Sequence, residues 1–456
     1  MERELYVYID LNRTPVHIGR LWIRHKQGKE TATFQYMPEW LAHPLRFALA
    51  PSLPLASGQF HSTGKLFNAF SDAAPDRWGK MLMRHHERIR AKESDTQPKT
   101  LIEADFLTGV DDQTRMGALR FKDARGGDFI TQTGATVPPV LELKNLLSAT
   151  DRIEKGKARK SDVALVLAPG ASLGGARPKA TVRDRDGRLW LAKFPWVKDE
   201  WPVIEWETAL LTMAQQAGVV VPKFRVEPIG AKSVLMIERF DRRADHARLP
   251  YMSAFTALDG QDHQEDRSYL ELVDALRQLG DAPREDLHQL WRRMAFNLLV
   301  SNVDDHLRNH GFLRGAEGWR LSPAFDMNPS PLDVSARIHV MAFNELDHTS
   351  SLETCFSVAN YFALKTHEAS AIAAEIGAVV ATWRDAAKKC HLTKSDMERM
   401  ETAFEHDDLR LARATASRPA APAPKAKRVA TTKAAPKQAG ARKKSAPASK
   451  RKKSSR

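Results

Sequence analysis

The chain has 456 residues, of which 42% are hydrophobic, with a net charge of +14 and only two cysteines, Cys355 and Cys390. That length and apolar share allow a sizeable core in two or three domains, and so few thiols exclude a disulfide framework or a metal knuckle. No run approaches the roughly 18 apolar residues of a membrane span, and the charged, alternating start MERELYVYID is unlike a secretory leader; a cytoplasmic location without a membrane partner is expected.

Residues 4–9, 16–24 and 31–36 alternate apolar and polar at period two, which predicts an opening of short antiparallel strands. In DAAPDRWGKMLMRHHERIR, Asp72 and Pro75 are start signals for a helix whose Trp78, Met81, Leu82 and His85 recur at helical spacing. TLIEADFLTGV reads as a second helix, MGALRF as a strand and PPVLELKNLLSATDRIEKG as a third helix.

From residue 166 the pattern becomes one that phosphoryl transfer needs. LAPGASLGGARPKATV lies between an apolar run, read as a strand, and the strand GRLWLAKFP. Gly170, Gly174 and Gly175 would let backbone amides approach a phosphate, although the spacing fits neither common phosphate-loop pattern and a plain Gly-rich hairpin reads the same way. Lys193 sits in an apolar strand and needs a negative partner. The helix that begins near Val203 carries Glu205 and Glu207 early, so a strand lysine is followed by a helix glutamate, as in protein kinases; complementing the helix dipole is the plainer role. Two more strands, VVVPKFRVEPI and SVLMIERFDR, complete a small antiparallel sheet. Their end places Glu238 and Phe240 where a kinase hinge would meet adenine.

The helix REDLHQLWRRMAFNLLV delivers the chain into SNVDDHLRNHGFL, in which Asp304 and Asn309 are five apart, the separation of the catalytic Asp and metal-binding Asn of kinases. GFLRGAEGWRLSPAFDM then reads as a hairpin that returns Asp326 as a second metal ligand. A solvated acidic turn, or a stray metal site using His306, would also fit DDH taken alone.

Residues 411–456 hold 15 Lys or Arg and no Asp or Glu, which leaves the preceding 410 residues almost neutral. This Ala, Pro and Lys-rich segment lacks aromatic residues and is expected to be a disordered polycation, drawn to nucleic-acid phosphates or serving only solubility.

In their order, these motifs resemble those of HipA-type toxin kinases. NVDDHLRN is similar to that family's NxDxHxKN loop, LSPAFDM to its metal-binding segment, GASLGGARPKATV to its phosphate loop, LAKFP to its ATP-lysine strand and IERFDRR to its hinge. PDRWG and MGALRF resemble the start of long members, so the likeness runs from about residue 5 to 400. It implies an α+β, bilobal protein-kinase-like fold: a β-rich subdomain over residues 1–125, an N-lobe over 126–245, a helical C-lobe over 246–410, and the basic tail.

It also implies ATP and Mg2+ as cofactors, with Asp304 as catalytic base and Asn309 and Asp326 as magnesium ligands. Gly174, Gly175, Lys193, Glu207, Glu238, Phe240 and His306 would bind ATP, and Ser172 would be a site of autophosphorylation. The implied substrate is a Ser/Thr-bearing cytoplasmic protein, for which an aminoacyl-tRNA synthetase is one candidate. The implied partner is a helix-turn-helix, HipB-like antitoxin. Arg308, Arg177 and Pro178 depart from the family pattern; Pro178 stiffens the loop and restricts Arg177. A sluggish or inactive kinase fold tethered to DNA is the competing class, and a small-molecule or lipid kinase is a third.

Overall fold

Five antiparallel strands open the chain in the spatial order β4-β3-β2-β1-β5: β1 (Glu2–Leu11), β2 (Thr14–Lys26), β3 (Lys29–Tyr36), β4 (Gln59–His61) and β5 (Leu119–Lys122). In this computed structural model the described residues are 2–131, 137–167, 175–261, 267–334, 336–345, 348–349 and 351–415. The alternation seen in sequence is the two faces of this sheet: Leu5, Val7 and Ile9 are buried, while Tyr6 and Tyr8 lie on the outer side. The β2–β3 hairpin turns on Gln27 and Gly28, both at positive φ, the two-residue geometry that matches strand twist.

The helix Arg77–Glu93 begins later than its start signals suggest. Asp76 caps it by accepting the Gly79 amide at 2.8 Å, whereas Asp72 accepts from the Ser253 amide and hydroxyl, both at 2.7 Å. The apolar run before the Gly-rich loop is not a strand but the helix Lys160–Leu167. A short apolar run has no decisive period, and packing settles it: Val163 and Val166, three apart, enter one cluster with Leu146 and Ile153 of the helix Leu143–Glu154.

These three helices cover one face of a second antiparallel sheet, ordered β6-β7-β9-β8: β6 (Lys179–Arg183), β7 (Leu189–Lys193), β8 (Phe224–Ile229) and β9 (Lys232–Glu238). Beyond it the chain is mainly helical. The buried helix Pro283–Leu299, with Leu290, Trp291, Met294 and Leu298 fully enclosed, carries the segment SNVDDHLRN on its end. A three-stranded sheet of Tyr251–Ser253, Gly311–Arg314 and Trp319–Leu321 follows that segment and makes the hairpin expected there. The last described helix, Asp407–Thr415, buries Leu409 and Ala412, so residues 411–415, read as the start of the tail, belong to the folded body. Among the described residues no helix is long and apolar enough to cross a membrane.

Candidate active site

β7 and the helix Val203–Gln216 bring Lys193 and Glu207 together. The lysine Nζ lies 2.5 Å from Glu207 Oε1 and 2.9 Å from Asp326 Oδ1, so residues distant in sequence converge on one ammonium. Burial disfavours the Lys193 charge, but Asp326 and Glu207 together outweigh it and hold the ammonium firmly protonated. Burial also pushes Asp326 up, yet Lys193 and then Lys179 overcome this and bring its carboxyl down to about 2. Glu207 moves the other way: burial raises it, and Lys193 only partly offsets that. Asp326 has φ +60, left-handed backbone that a non-glycine residue adopts only when its surroundings impose it.

The two aspartates of NVDDHLRN separate cleanly. Asp305 is buried, accepting from Tyr269 Oη, from Asn297 Nδ2 at 3.0 Å and from His310 Nε2 at 2.9 Å. Asp304 is exposed; its carboxyl is pushed up by desolvation first, then by Asp326 and Asp305, against the opposing pull of His306. Asn309 donates to the Asp304 carbonyl at 3.3 Å, and its Oδ1 is buried with no hydrogen-bond partner, as is His306 Nδ1. Asn302 Oδ1 accepts from the Asn328 amide at 3.3 Å and ties this loop to the Asp326 segment.

Next to Lys193 and Asp326 lies a cleft of about 480 Å3 lined largely by apolar groups: Met116, Leu191, Ile237, Phe240 and Phe325, with Glu238 and Arg239 at its edge. The rings of Phe240 and Phe325 are 5.6 Å apart. The Glu238 amide is already donated to the Lys223 carbonyl at 2.8 Å. The cleft has the apolar lining of a site for a flat ring, with the charged cluster at its end.

Magnesium prefers oxygen ligands, and an ionised Asp326 and the orphaned Asn309 Oδ1 are oxygen donors of the right kind. Among the described residues no group of three or more His, Cys, Asp or Glu could hold a metal by itself, so the remaining ligands would have to be phosphate oxygens and water. Ser172 and Gly174 lie outside the described residues. Gly175 has φ +88, and a Cβ there would stand 3.5 Å from Lys179 Nζ, so the loop's exit needs glycine for its backbone.

Two features escaped sequence reasoning. Lys179 stands opposite Lys193 in the β6–β7 register, and its buried Nζ meets Asp76 Oδ2 at 2.9 Å while Trp78 Nε1 donates to its carbonyl at 3.0 Å. The second is a buried network just beyond the end of β9, where Asp241 accepts from Arg239 and Arg242 and from the Gly117 amide at 2.8 Å. Arg239 continues to the Thr114 and Arg115 carbonyls. An aspartate among three arginines in IERFDRR was a visible sign of such a cluster, but its partners in residues 114–117 were not.

A strand lysine held by a helix glutamate, beside an apolar cleft between a small sheet and a helical lobe, defines a kinase-like α+β architecture. Two family models match the chain, the HipA N-terminal domain over residues 9–104 and the HipA-like C-terminal domain over 171–383, together more than half its length. The chain belongs to the HipA family. The HipA chain of the Shewanella oneidensis MR-1 toxin–antitoxin complex with HipB and operator DNA shares its fold, with a TM-score of 0.59 at 15% identity over 90% of this chain and 96% of that one. The Helicobacter pylori proinflammatory kinase CtkA matches at a TM-score of 0.39 and 13% identity, over 52% of this chain and 94% of its own. A Sinorhizobium fredii protein named as a kinase, Y4dM, is 29% identical over 157 residues, 31% of this chain and 37% of that protein. The chain thus aligns with little more than a third of that curated relative.

Proposed function

We propose that this protein is a HipA-like toxin kinase that transfers the ATP γ-phosphate to a Ser or Thr of a cytoplasmic protein. The observation that carries this reading is Lys193, held between Glu207 and Asp326 at the end of an apolar cleft. Adenine occupies the cleft beside Phe240, Phe325 and Ile237, and Lys193 together with the Gly175 backbone meets the phosphates. His306, whose Nδ1 lacks a partner, adds a polar contact at the same end. Magnesium, when bound by Asn309 and Asp326, supplies charge neutralisation on the phosphate oxygens. Asp304, the exposed carboxylate of the pair, accepts the proton of the attacking hydroxyl; Asp305 holds the loop in place.

The relative from Shewanella oneidensis, solved with HipB and operator DNA, supports a helix-turn-helix, HipB-like antitoxin as partner. Ser172 is the proposed autophosphorylation site; about two negative charges there would repel the nucleotide phosphates and switch the enzyme off. An aminoacyl-tRNA synthetase is one candidate substrate. The basic tail is proposed to bind nucleic-acid phosphates, with affinity that collapses as salt rises.

The test is incubation of the purified chain with γ-labelled ATP, magnesium and cell lysate. Label on a protein is expected, and none with Asp304→Ala. Label only on small molecules would overturn the protein-kinase reading, and equal labelling by Asp304→Ala would overturn the site.

A further inference from the structure

A second concave site lies on the far side of the hinge, independent of the kinase reading. It holds a cavity of about 150 Å3 and is walled by Arg183, Arg188, Arg242, Arg243, His246 and Arg248, with Glu238 as its one carboxylate. Most of the positive charge has a structural partner: Arg188 pairs with Glu238 at 3.1 Å, Arg242 with Asp241 at 2.5 Å and Arg248 with Asp112 at 3.0 Å.

Two arginines do not. Arg183 donates to the Gly187 carbonyl at 3.2 Å and to Gln113 Oε1 at 3.1 Å, and Arg243 donates to Asn12 Oδ1 at 2.9 Å. These partners are neutral, so two guanidinium charges face the cavity uncompensated. Arg248 adds a buried Nη1 without any hydrogen-bond partner, although the side chain is only 10% exposed. Arg242 is disfavoured as a cation by burial and by repulsion from Arg239 and Arg248, despite the attraction of Asp241. A buried guanidinium crowded by others is stabilised by an anion of matching fork geometry.

We propose that this cavity is a binding site for a phosphate or pyrophosphate group, gripped by Arg183 and Arg243 and backed by Arg248. The group belongs to a small ligand, because the arginines converge on one concave recess between β6, the start of β7 and residues 238–248. The site is separate from the nucleotide cleft but shares Glu238 and Arg239 with it as a common wall.

Calorimetric titration of the full chain with pyrophosphate tests this, using Arg183→Ala and Arg243→Ala singly and together, with Lys388→Ala, on the helix Trp383–Lys389 and lining neither site, as control. Both arginines hold no ion pair, so the variants should fold, which circular dichroism checks. Each arginine substitution is expected to weaken pyrophosphate roughly tenfold or more, from the worth of a charge-assisted hydrogen bond, and Lys388→Ala to leave it unchanged. Adenosine monophosphate in a parallel titration separates the sources: Arg243-dependent binding tighter than pyrophosphate identifies a nucleotide phosphate, and equal or weaker binding the free anion. Absent binding, binding of unchanged affinity in the double variant, or binding weakened as much by Lys388→Ala each overturns the proposal.

Discussion

Two charge clusters lie on either side of the hinge, and both are buried, yet they are finished differently. Behind the hinge, Asp241 is fully enclosed and satisfied by two guanidiniums and a backbone amide. In front of it, Lys193 and Asp326 are paired, but Asn309 Oδ1 and His306 Nδ1 have no partner and Asp304 stands exposed. Burying a polar atom without a hydrogen bond costs about 1–3 kcal/mol, a cost that a ligand bonded to Asn309 and His306 would offset. The same contrast runs within two adjacent residues, Asp304 and Asp305.

The sharpest way to break this comparison is to remove one carboxylate from each side. Asp304→Ala should lower phosphate transfer by about 10²–10⁴-fold, the range for a lost general base, with little change in melting temperature. Wild-type transfer by that variant would dissolve the distinction. Lys193→Ala should lower kcat/KM by on the order of 10²-fold through lost phosphate contacts, and steady-state kinetics at varied ATP would read it.

On the satisfied side, Asp241→Ala should act on stability. It leaves Arg239 and Arg242 buried without their counter-charge, a loss of about 3–5 kcal/mol that a chemical denaturation midpoint would register. A variant as stable as the parent would show that the network is ornamental.

A smaller effect is expected from pH. Burial first, and Arg337 second, bring His339 and His406 down to about 4, so the folded chain keeps both imidazoles neutral. Below the ordinary value of 6.5 the unfolded chain takes up these protons first. The stability they contribute is therefore complete above that value and is lost as pH falls toward about 4, by on the order of 2 to 3 kcal/mol each. Melting temperatures between pH 7 and 4 should fall, and His406→Gln should flatten the slope; an unchanged slope counts against it. Smallest of all, deleting residues 418–456 should leave labelled-phosphate transfer intact while removing salt-sensitive DNA binding in a filter assay.

Much of this was legible in the chain. Period-two alternation located β1 to β3, and the five-residue separation of Asp304 and Asn309 picked out a loop that lies next to the Lys193–Asp326 pair, because local patterns carry local structure. What could not be read was long-range pairing. Nothing near Lys179 announces Asp76, 103 residues earlier, nor does Asp241 announce the Gly117 amide. The run DVALVL failed for a different reason: a short apolar segment is compatible with either period until its neighbours are known. Between Glu205 and Glu207 the choice was also made by packing, since only Glu207 faces Lys193.

Met116 has a consequence of its own. It comes from the segment that leads into β5 of the first sheet, yet it lines the cleft beside Phe240 and Ile237, and its neighbour Gly117 is anchored to Asp241. The first 125 residues therefore cannot be shed as an accessory. A shortened chain starting at residue 126 would lack a wall of the apolar cleft, and the guanidiniums that now donate to the carbonyls of residues 113–117 would be left with water.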